Sequence, residues 1–393
     1  MKNLDRERPR LVRVYLSGGF GLAMSAMVGF LLPLRLDEMG LSLDLVGVII
    51  GVGLLAPALF SVPIGALIDR VGTKGSFVLG TGVAALTGAL MAVVSDYRWF
   101  LLLAPVAAIS TGLGWIASQS YVTALATGSR RAVLTGRFSF VSSLGQMAGP
   151  VLAGLAAELL GFRLAMLSIT AYAGVFLLVG LALDPVTKGD RSHNGFGFKT
   201  AVSMIRIRAV RIAMILTGTR LWISYVFVTF VPVYLISVNV TASEAGLLVG
   251  ISGGIAALAA TSAGWLTRRM SPDLVVILGL ACGATGLILT PRLSVGWMLY
   301  LIPLLVGIGR GLSLPLLLTM ISNAVPVGQR GVAFGLRATV NHVASAVAPS
   351  VVGSAIAALG MVAAFGVGAG VAYAALAIAL WRRFPSAPDG DTV

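Results

Sequence analysis

The chain has 393 residues, of which 58% are hydrophobic and only 11% are charged, and its formal net charge is +14. A soluble domain is typically about 25% charged, so this composition excludes a soluble globular protein and requires a surface that lipid can solvate. The single cysteine, Cys282, excludes an intrachain disulfide, and with His193 and His342 it matches no metal-ligand spacing. We therefore expect no metal and no cofactor.

Apolar runs of about 20 residues, the length that crosses a hydrocarbon core of about 30 Å, follow one another along the whole chain. They begin near Val12, Asp44, Ser76, Trp99, Leu134, Arg163, Arg211, Glu244, Pro272, Val295, Gly331 and Met361. The strands of a membrane barrel would be about 10 residues long and would alternate in polarity. The sequence therefore predicts an all-α membrane protein with twelve transmembrane helices, helix 1 to helix 12. The first run is too long for a signal peptide and is expected to remain as helix 1.

The basic residues are distributed unequally between the two sides of this predicted helical array. Of the 28 lysines and arginines, 21 fall at the connections and termini on one side and 4 at those on the other. This asymmetry follows the positive-inside rule and predicts an inner-membrane protein with both termini in the cytoplasm. The basicity thus reflects topology, and we expect no nucleic-acid partner. A basic stretch from Arg206 to Arg211 is expected to contact anionic lipid headgroups.

The connection between helices 2 and 3 carries a glycine-rich, charged motif. It reads Gly65-Ala66-Leu67-Ile68-Asp69-Arg70-Val71-Gly72-Thr73-Lys74. Gly72 is suited to the positive φ of a tight turn. This motif resembles the signature of the major facilitator superfamily, and the resemblance implies a loop that latches the two halves of the molecule in one access state. The candidate partners for Asp69 are Arg131 and the start of helix 11 near Gly331, and the alternative is a polar turn that only fixes topology.

Helix 5 contains a series of glycines followed by a proline. Gly145, Gly149, Pro150 and Gly154 resemble the antiporter motif of drug and proton exchangers in the same superfamily, with Ala153 in place of the first of two closing glycines. Small residues allow close helix packing, and proline removes a backbone hydrogen bond, so we predict a hinge. The alternative is that crowded membrane helices commonly use small residues.

Two features of those exchangers are missing from the chain. Ala108 stands in helix 4 where they usually carry an arginine, and the acids of helix 1, Asp37 and Glu38, fall at its outer end. Both departures weigh against a mechanism that exchanges a cation for protons.

Several residues recur as the same residue 199 positions later in the chain. The pairs are Gly65 and Gly264, Gly112 and Gly311, Arg131 and Arg330, Gly136 and Gly335, Pro150 and Pro349, and Gly154 and Gly353. A constant offset indicates a duplicated six-helix unit. We predict an N-terminal six-helix bundle over 1–184, a cytoplasmic linker over 185–208 and a C-terminal six-helix bundle over 209–393. Parallel repeats of this kind place the solute path at their interface and alternate access by rocking.

Three arginines lie inside predicted helices, whereas all 14 acids lie at helix ends or in connections. At 1.5 Å per residue, Arg220 lies about 13 Å into helix 7, Arg310 about 21 Å from the outer face and Arg337 about 10 Å into helix 11. An arginine at the centre of a helix costs about 2.5 to 3.5 kcal/mol on insertion scales, and a bound anion would offset that cost. Arg337 can instead reach the cytoplasmic interface, and carbonyl groups can instead satisfy Arg220 and Arg310.

Further side chains are candidates for the solute path. Trp115 and Gln119 in helix 4 and Tyr225 in helix 7 would contact an organic anion. His342 is the candidate for proton coupling because imidazole changes charge near neutral pH. A histidine satisfied by Asn341 or by a carbonyl is the alternative.

These observations predict a secondary active transporter that moves a small amphipathic organic anion by alternating access, with efflux coupled to proton antiport. Uptake or exchange of an organic anion, by proton symport or anion antiport, fits the arginines equally well. A sensor or scaffold that transports nothing is the alternative of another class. No enzyme is expected, since the sequence has no paired acids, Ser and His dyad or phosphate-binding loop at membrane depth. The expected partners are the solute and membrane lipid, and the chain is expected to act as a monomer.

Overall fold

The computed structural model describes residues 2–124, 128–184, 203–293, 296–326 and 329–381. Most of the predicted linker, residues 185–202, lies outside these ranges. The described ranges are helical except for short turns and connections, and they contain no β-strand.

Two glycines divide long helical stretches into separate helices. The stretch Ser61–Val93 is interrupted at Gly72, with φ 83° and ψ 164°, and the stretch Gly128–Leu181 is interrupted at Gly161, with φ 74° and ψ 159°. A positive φ is strained for residues with a Cβ, and glycine adopts it freely. The turn predicted at Gly72 is confirmed, and the break at Gly161 separates helices 5 and 6.

Twelve helices result within the described residues, as predicted. They are α1 (Lys2–Glu38), α2 (Leu43–Leu59, continued after a bend at Phe60 by 61–71), α3 (73–93), α4 (Phe100–Ala124), α5 (128–160), α6 (162–181), α7 (Arg208–Ser237), α8 (Ala242–Leu266), α9 (Pro272–Leu289), α10 (Leu301–Ala324), α11 (Arg330–Leu359) and α12 (Met361–Trp381). Short 3-10 helices, Tyr97–Trp99 and Gly296–Tyr300, precede α4 and α10.

Length and hydropathy agree with repeated membrane crossings. Ten helical stretches in the described part of the chain are long and apolar enough to span a bilayer, and α2 contributes a shorter apolar helix. The stretch Leu134–Leu181 has 48 residues, which corresponds to about 72 Å of helix. Because that is more than twice a hydrocarbon core of about 30 Å, it accounts for two crossings that meet at Gly161. The chain is therefore a multi-pass membrane protein.

By its contacts the chain forms two compact units, and the first comprises Met1–Ser192 and Val228–Gly254. Its core contains a close contact between α1 and α5. Ser142 Oγ donates a hydrogen bond to the carbonyl oxygen of Gly18 at 2.7 Å, and Tyr172 OH on α6 donates to that of Gly19 at 2.9 Å. Small residues on α1 thus expose backbone carbonyls to hydroxyl donors of neighbouring helices.

The second unit comprises His193–Phe227 and Ile255–Val393. Here α9 and α10 pack so closely that a Cβ added at Gly309 would lie 2.5 Å from the carbonyl oxygen of Gly279. The buried Trp222 indole ties α7 to α12 by donating from Nε1 to the carbonyl oxygen of Gly368 at 2.8 Å. Two unit boundaries fall within α7 and α8, and the third lies between Ser192 and His193. The boundaries predicted from the repeat, 184 and 209, stay a prediction.

Candidate functional site

Arg220 lies deeper in its helix than the sequence indicates. The apolar pattern suggests that helix 7 begins near Arg211, whereas α7 begins at Arg208. Arginines are tolerated in this first turn because helix ends reach the polar headgroup region. Arg220 is thus 12 residues from the start of α7, or about 18 Å along it. Its side chain is half-buried, and its Nε is fully buried with no hydrogen-bond partner among the described residues.

Three of the predicted residues come within electrostatic range of Arg220. The positive charges of Arg310 on α10 and Arg337 on α11, and the phenol of Tyr225 on α7, all act on its guanidinium. Tyr225 is also in electrostatic range of Arg310. The structure therefore brings Arg220, Arg310, Arg337 and Tyr225 together within the second unit. Like charges repel most strongly where the local dielectric constant is low, so this arrangement favours a ligand of opposite charge.

Acidic groups are scarce in the second unit. Within its described residues Asp273 is the one acid, and it lies in the first turn of α9. There it lines a cleft of about 520 Å³ together with Arg208 and Asn323. Asn323 follows Arg310 by 13 residues on α10, a distance of about 20 Å along the helix. The cleft is therefore separate from the arginine cluster.

Arg337 and His342 occupy the first half of α11. The Nε of Arg337 is fully buried with no hydrogen-bond partner among the described residues, which favours a position inside the bundle over one at the interface. The His342 side chain is half-buried, and its carbonyl oxygen accepts a hydrogen bond from Ser345 Oγ at 2.9 Å. His342 is 12 residues into α11, the same distance as Arg220 into α7.

Trp115 and Gln119 belong to the first unit. They are four residues apart on α4 and so share a helix face. Trp115 stacks on Phe138 of α5 with ring centroids 5.7 Å apart, and a Cβ at Gly21 of α1 would lie 2.5 Å from its ring. The indole is thus held by two neighbouring helices and is half-buried, whereas Gln119 is exposed. Both remain candidates for solute contact.

The predicted latch is described only in part. The side chains of Asp69 and Arg131, and the surroundings of Gly65, lie outside what the structure describes. Arg70 is exposed beside the turn at Gly72. The latch role of these residues stays a prediction.

Lys74, the last residue of that motif, binds the end of α6. Its Nζ donates to the carbonyl oxygen of Leu181 at 2.9 Å, and Arg13 donates to that of Ala182. Cations are favourable at helix C-termini, where carbonyl groups lack intrahelical partners. Lys74 therefore has a stabilising contact within the first unit, whatever further role the motif has.

The glycines of helix 5 contact two different helices. A Cβ added at Gly145 would lie 2.6 Å from the carbonyl oxygen of Gly19, and one at Gly149 would lie 2.6 Å from that of Ala23, both on α1. One added at Gly154 would collide with the carbonyl oxygen of Ala242 at the start of α8. Backbone contact along both helices requires these positions to lack side chains.

The α8 side of this contact was not identified from the sequence. A Cβ at Gly246 would collide with the carbonyl oxygen of Pro150, and one at Gly250 would lie 2.5 Å from that of Met147. Near the C-terminal end of α5, the Glu158 carboxylate accepts a hydrogen bond from the Ser243 backbone N–H at 3.0 Å. A signal was present, because Gly246 and Gly250 repeat Gly47 and Gly51 at the same offset of 199 residues.

Comparison with known proteins agrees with this architecture. The sequence model of the Major Facilitator Superfamily matches residues 14–349 and also residues 213–392. The tetracycline resistance protein, class C, of Escherichia coli is 27% identical over 349 residues, which are 85% of each chain. The multidrug resistance protein MdtG of Escherichia fergusonii is 26% identical over 321 residues, covering 77% of this chain and 76% of the relative.

Solved structures show the same fold. The nucleoside transporter NupG superposes with a TM-score of 0.81 at 12% identity, covering 96% of this chain and 99% of that one. A D-xylose-proton symporter superposes with a TM-score of 0.73 at 16% identity, covering 98% and 99%.

Proposed function

Because the chain belongs to the Major Facilitator Superfamily and is a transporter of that family, we propose that it exports a small amphipathic organic anion across the inner membrane. Export occurs by alternating access and is coupled to proton antiport. The chain acts as a monomer with both termini in the cytoplasm, in contact with membrane lipid.

The arginine cluster carries the proposal of an anionic solute. Arg220 is placed about 18 Å into α7, and the groups that act on its guanidinium are two further cations and a phenol. Removing a cation from water costs several kcal/mol unless an opposite charge and hydrogen bonds compensate it. A carboxylate or phosphonate would supply both, because its oxygens match the fork of a guanidinium.

Aromatic groups support an organic rather than an inorganic anion. Tyr225 stands beside the arginines, and the half-buried Trp115 of the first unit has a ring available for apolar contact. Gln119, four residues from Trp115 on α4, adds a hydrogen-bonding group in the first unit. In each unit, taken by itself, these side chains fit a solute that has an apolar body and one charged end.

Two observations favour export. The relatives named as tetracycline and multidrug resistance proteins align along most of this chain. The glycine and proline pattern of helix 5, with Gly145, Gly149, Pro150 and Gly154 as the proposed hinge, resembles that of drug and proton exchangers. Uptake and exchange are the outcomes that would revise the direction.

Arg220→Ala tests the solute class in proteoliposomes. We expect counterflow of phenylacetate by the wild type and a loss of about 10- to 100-fold in the variant, because a charge-assisted hydrogen bond contributes about 1.5–3 kcal/mol. The measurement is the initial rate of radiolabelled anion uptake into vesicles preloaded with the same anion.

Arg292→Ala is the matched control, since Arg292 is exposed just after the end of α9 and donates to the carbonyl oxygen of Ile288 at 3.3 Å. It removes the same charge and should leave counterflow unchanged. Equal counterflow by Arg220→Ala and the wild type, or counterflow of lipophilic cations but not anions by the wild type, would contradict the proposal.

A further inference from the structure

Beyond the first turn of each helix, four polar atoms on α7 and α11 are fully buried without a hydrogen-bond partner among the described residues; the Nε of Arg211, in the first turn of α7, is buried without one as well. The four atoms are Thr217 Oγ1 and Arg220 Nε on α7, and Arg337 Nε and Asn341 Oδ1 on α11. Thr217 is 0% exposed. Buried polar atoms are nearly always hydrogen-bonded, and one left unsatisfied costs about 1–3 kcal/mol. Four such atoms in two helices therefore indicate groups that a ligand satisfies.

Helix geometry places each oxygen beside an arginine. Thr217 precedes Arg220 by three residues, and Asn341 follows Arg337 by four. Residues at these spacings share a face of an α-helix. The two helices also contact each other, because a Cβ added at Gly218 of α7 would lie 3.6 Å from the side chain of Val340 on α11. Arg337 is in electrostatic range of Arg220.

The four positions also lie at similar depths. Counted from the first residues of α7 and α11, Arg208 and Arg330, Arg337 lies about 10 Å along its helix, Thr217 about 14 Å, Asn341 about 16 Å and Arg220 about 18 Å. Helices α7 and α11 run in the same direction because an even number of crossings separates their starts. The two acceptors thus lie between the two donors in depth, and all four groups fall within about 8 Å along the helices.

We infer that Thr217 and Asn341 are specificity-determining residues that bind a hydroxyl or amino group adjacent to the charged end of the solute. The arginines donate to the anionic oxygens, while Asn341 Oδ1 and Thr217 Oγ1 accept from the neighbouring O–H or N–H. The substrate class is accordingly an amphipathic hydroxy acid or a similar anion with its own donor. This inference rests on the proposed transport of an organic anion.

Selectivity follows from the cost of unsatisfied acceptors. A simple carboxylate would satisfy the arginines but leave the two oxygens buried and unpaired. A site built to bind a hydroxyl rejects an analogue that lacks it more strongly than an apolar pocket rejects an added methylene. We expect the wild type to prefer an anion with the hydroxyl by about tenfold or more.

Mandelate and phenylacetate provide the test because they differ by one hydroxyl beside the carboxylate. Competition of each anion against radiolabelled mandelate counterflow gives the ratio of their half-inhibitory concentrations. The expected ratio is about 10 for the wild type, and about 1 to 3 for Thr217→Val and Asn341→Leu, with phenylacetate inhibition retained. Thr217→Ser, which keeps the hydroxyl, should retain the wild-type ratio.

Thr219→Val is the matched control on α7. Thr219 is 4% exposed, and its Oγ1 already donates to the carbonyl oxygen of Ile215 at 2.9 Å, so the ratio should not change. A wild-type ratio near 1, or an unchanged ratio in both Asn341→Leu and Thr217→Val, overturns the inference while anion transport stands. If neither anion inhibits or exchanges, the proposed transport of organic anions fails as well. Should Thr217→Val fail to insert, Asn341→Leu and the wild-type ratio decide.

Discussion

His342 is the residue whose charge we expect to couple solute movement to protons. It is half-buried 12 residues into α11, about 18 Å along the helix, where a change of charge alters the field near the arginine cluster. We predict that His342→Gln keeps counterflow but loses accumulation driven by a pH gradient, because glutamine forms hydrogen bonds without changing charge near neutral pH. The measurement is anion accumulation in inside-out vesicles with an acidic interior.

His193→Gln is the corresponding control, since His193 lies in the predicted linker and outside the described residues. It should accumulate the anion as the wild type does. Gradient-driven accumulation that persists in His342→Gln would assign coupling to another group, and loss of counterflow as well would assign His342 to solute binding.

The sequence indicates a functional role for a single residue when its side-chain type is rare in a membrane-spanning helix. Arg220 stands out in an apolar run because a charge there is costly. Thr217 does not stand out in the sequence, because a threonine hydroxyl in a helix ordinarily donates to a carbonyl oxygen of the preceding turn, as that of Thr219 does. The contact of Lys74 with Leu181 spans 107 residues, and no local pattern in the sequence reports such a pair.

At the scale of elements, the structure shows a close backbone contact between α5 and α8 that was not predicted from the sequence. The substitution Gly246→Ala would place a methyl group against the carbonyl oxygen of Pro150 and 3.0 Å from the Cα of Gly154. Backbone atoms cannot turn aside as flexible side chains do. We predict that Gly246→Ala lowers the free energy of unfolding by about 1–3 kcal/mol, measured by thermal unfolding of the purified protein in detergent.

Gly253→Ala on the same helix is the control. A Cβ there would meet the backbone of Met147 at 3.7 Å, an ordinary contact distance. Helix propensity alone favours alanine over glycine by about 1 kcal/mol, so this variant should be as stable as the wild type or more stable. Equal destabilisation of the two variants would mean that the α5 and α8 contact is not the cause.

The number and order of the helices were predictable, but their partners were not. Hydrophobic run length sets the crossings, and glycine with positive φ sets the turns at Gly72 and Gly161. The helix that packs against the glycines of α5 is set by a match between two segments that are distant in the sequence. Small residues must occur at facing positions on both helices. The offset of 199 residues relates Gly246 and Gly250 of α8 to Gly47 and Gly51 of α2, which marks them as positions where a small residue recurs but does not identify α5 as their partner.

At the scale of the whole molecule, the motif at residues 65–74 is the feature that we expect to control the change between access states. The resemblance to the family signature implies that Asp69 holds one access state of the transporter. A contact of this kind changes the populations of two states and leaves the solute contacts as they are. Its removal should therefore act on the rate of alternation more than on affinity.

Asp69→Asn is predicted to slow counterflow by about 5- to 50-fold, which corresponds to about 1–2.3 kcal/mol of bias between states, while solute binding weakens less than threefold. Stopped-flow counterflow measures the rate, and the thermal shift produced by titrated mandelate measures the binding.

Asp96→Asn is the control. It removes an acid that accepts from the backbone N–H of Arg98 in the connection before α4, and the rate and the binding should both stay at their wild-type values. If the loss of affinity in Asp69→Asn accounts for the whole fall in rate, Asp69 acts in solute binding and the latch is contradicted. The reason is that a shift between access states must change the rate and the affinity by different factors.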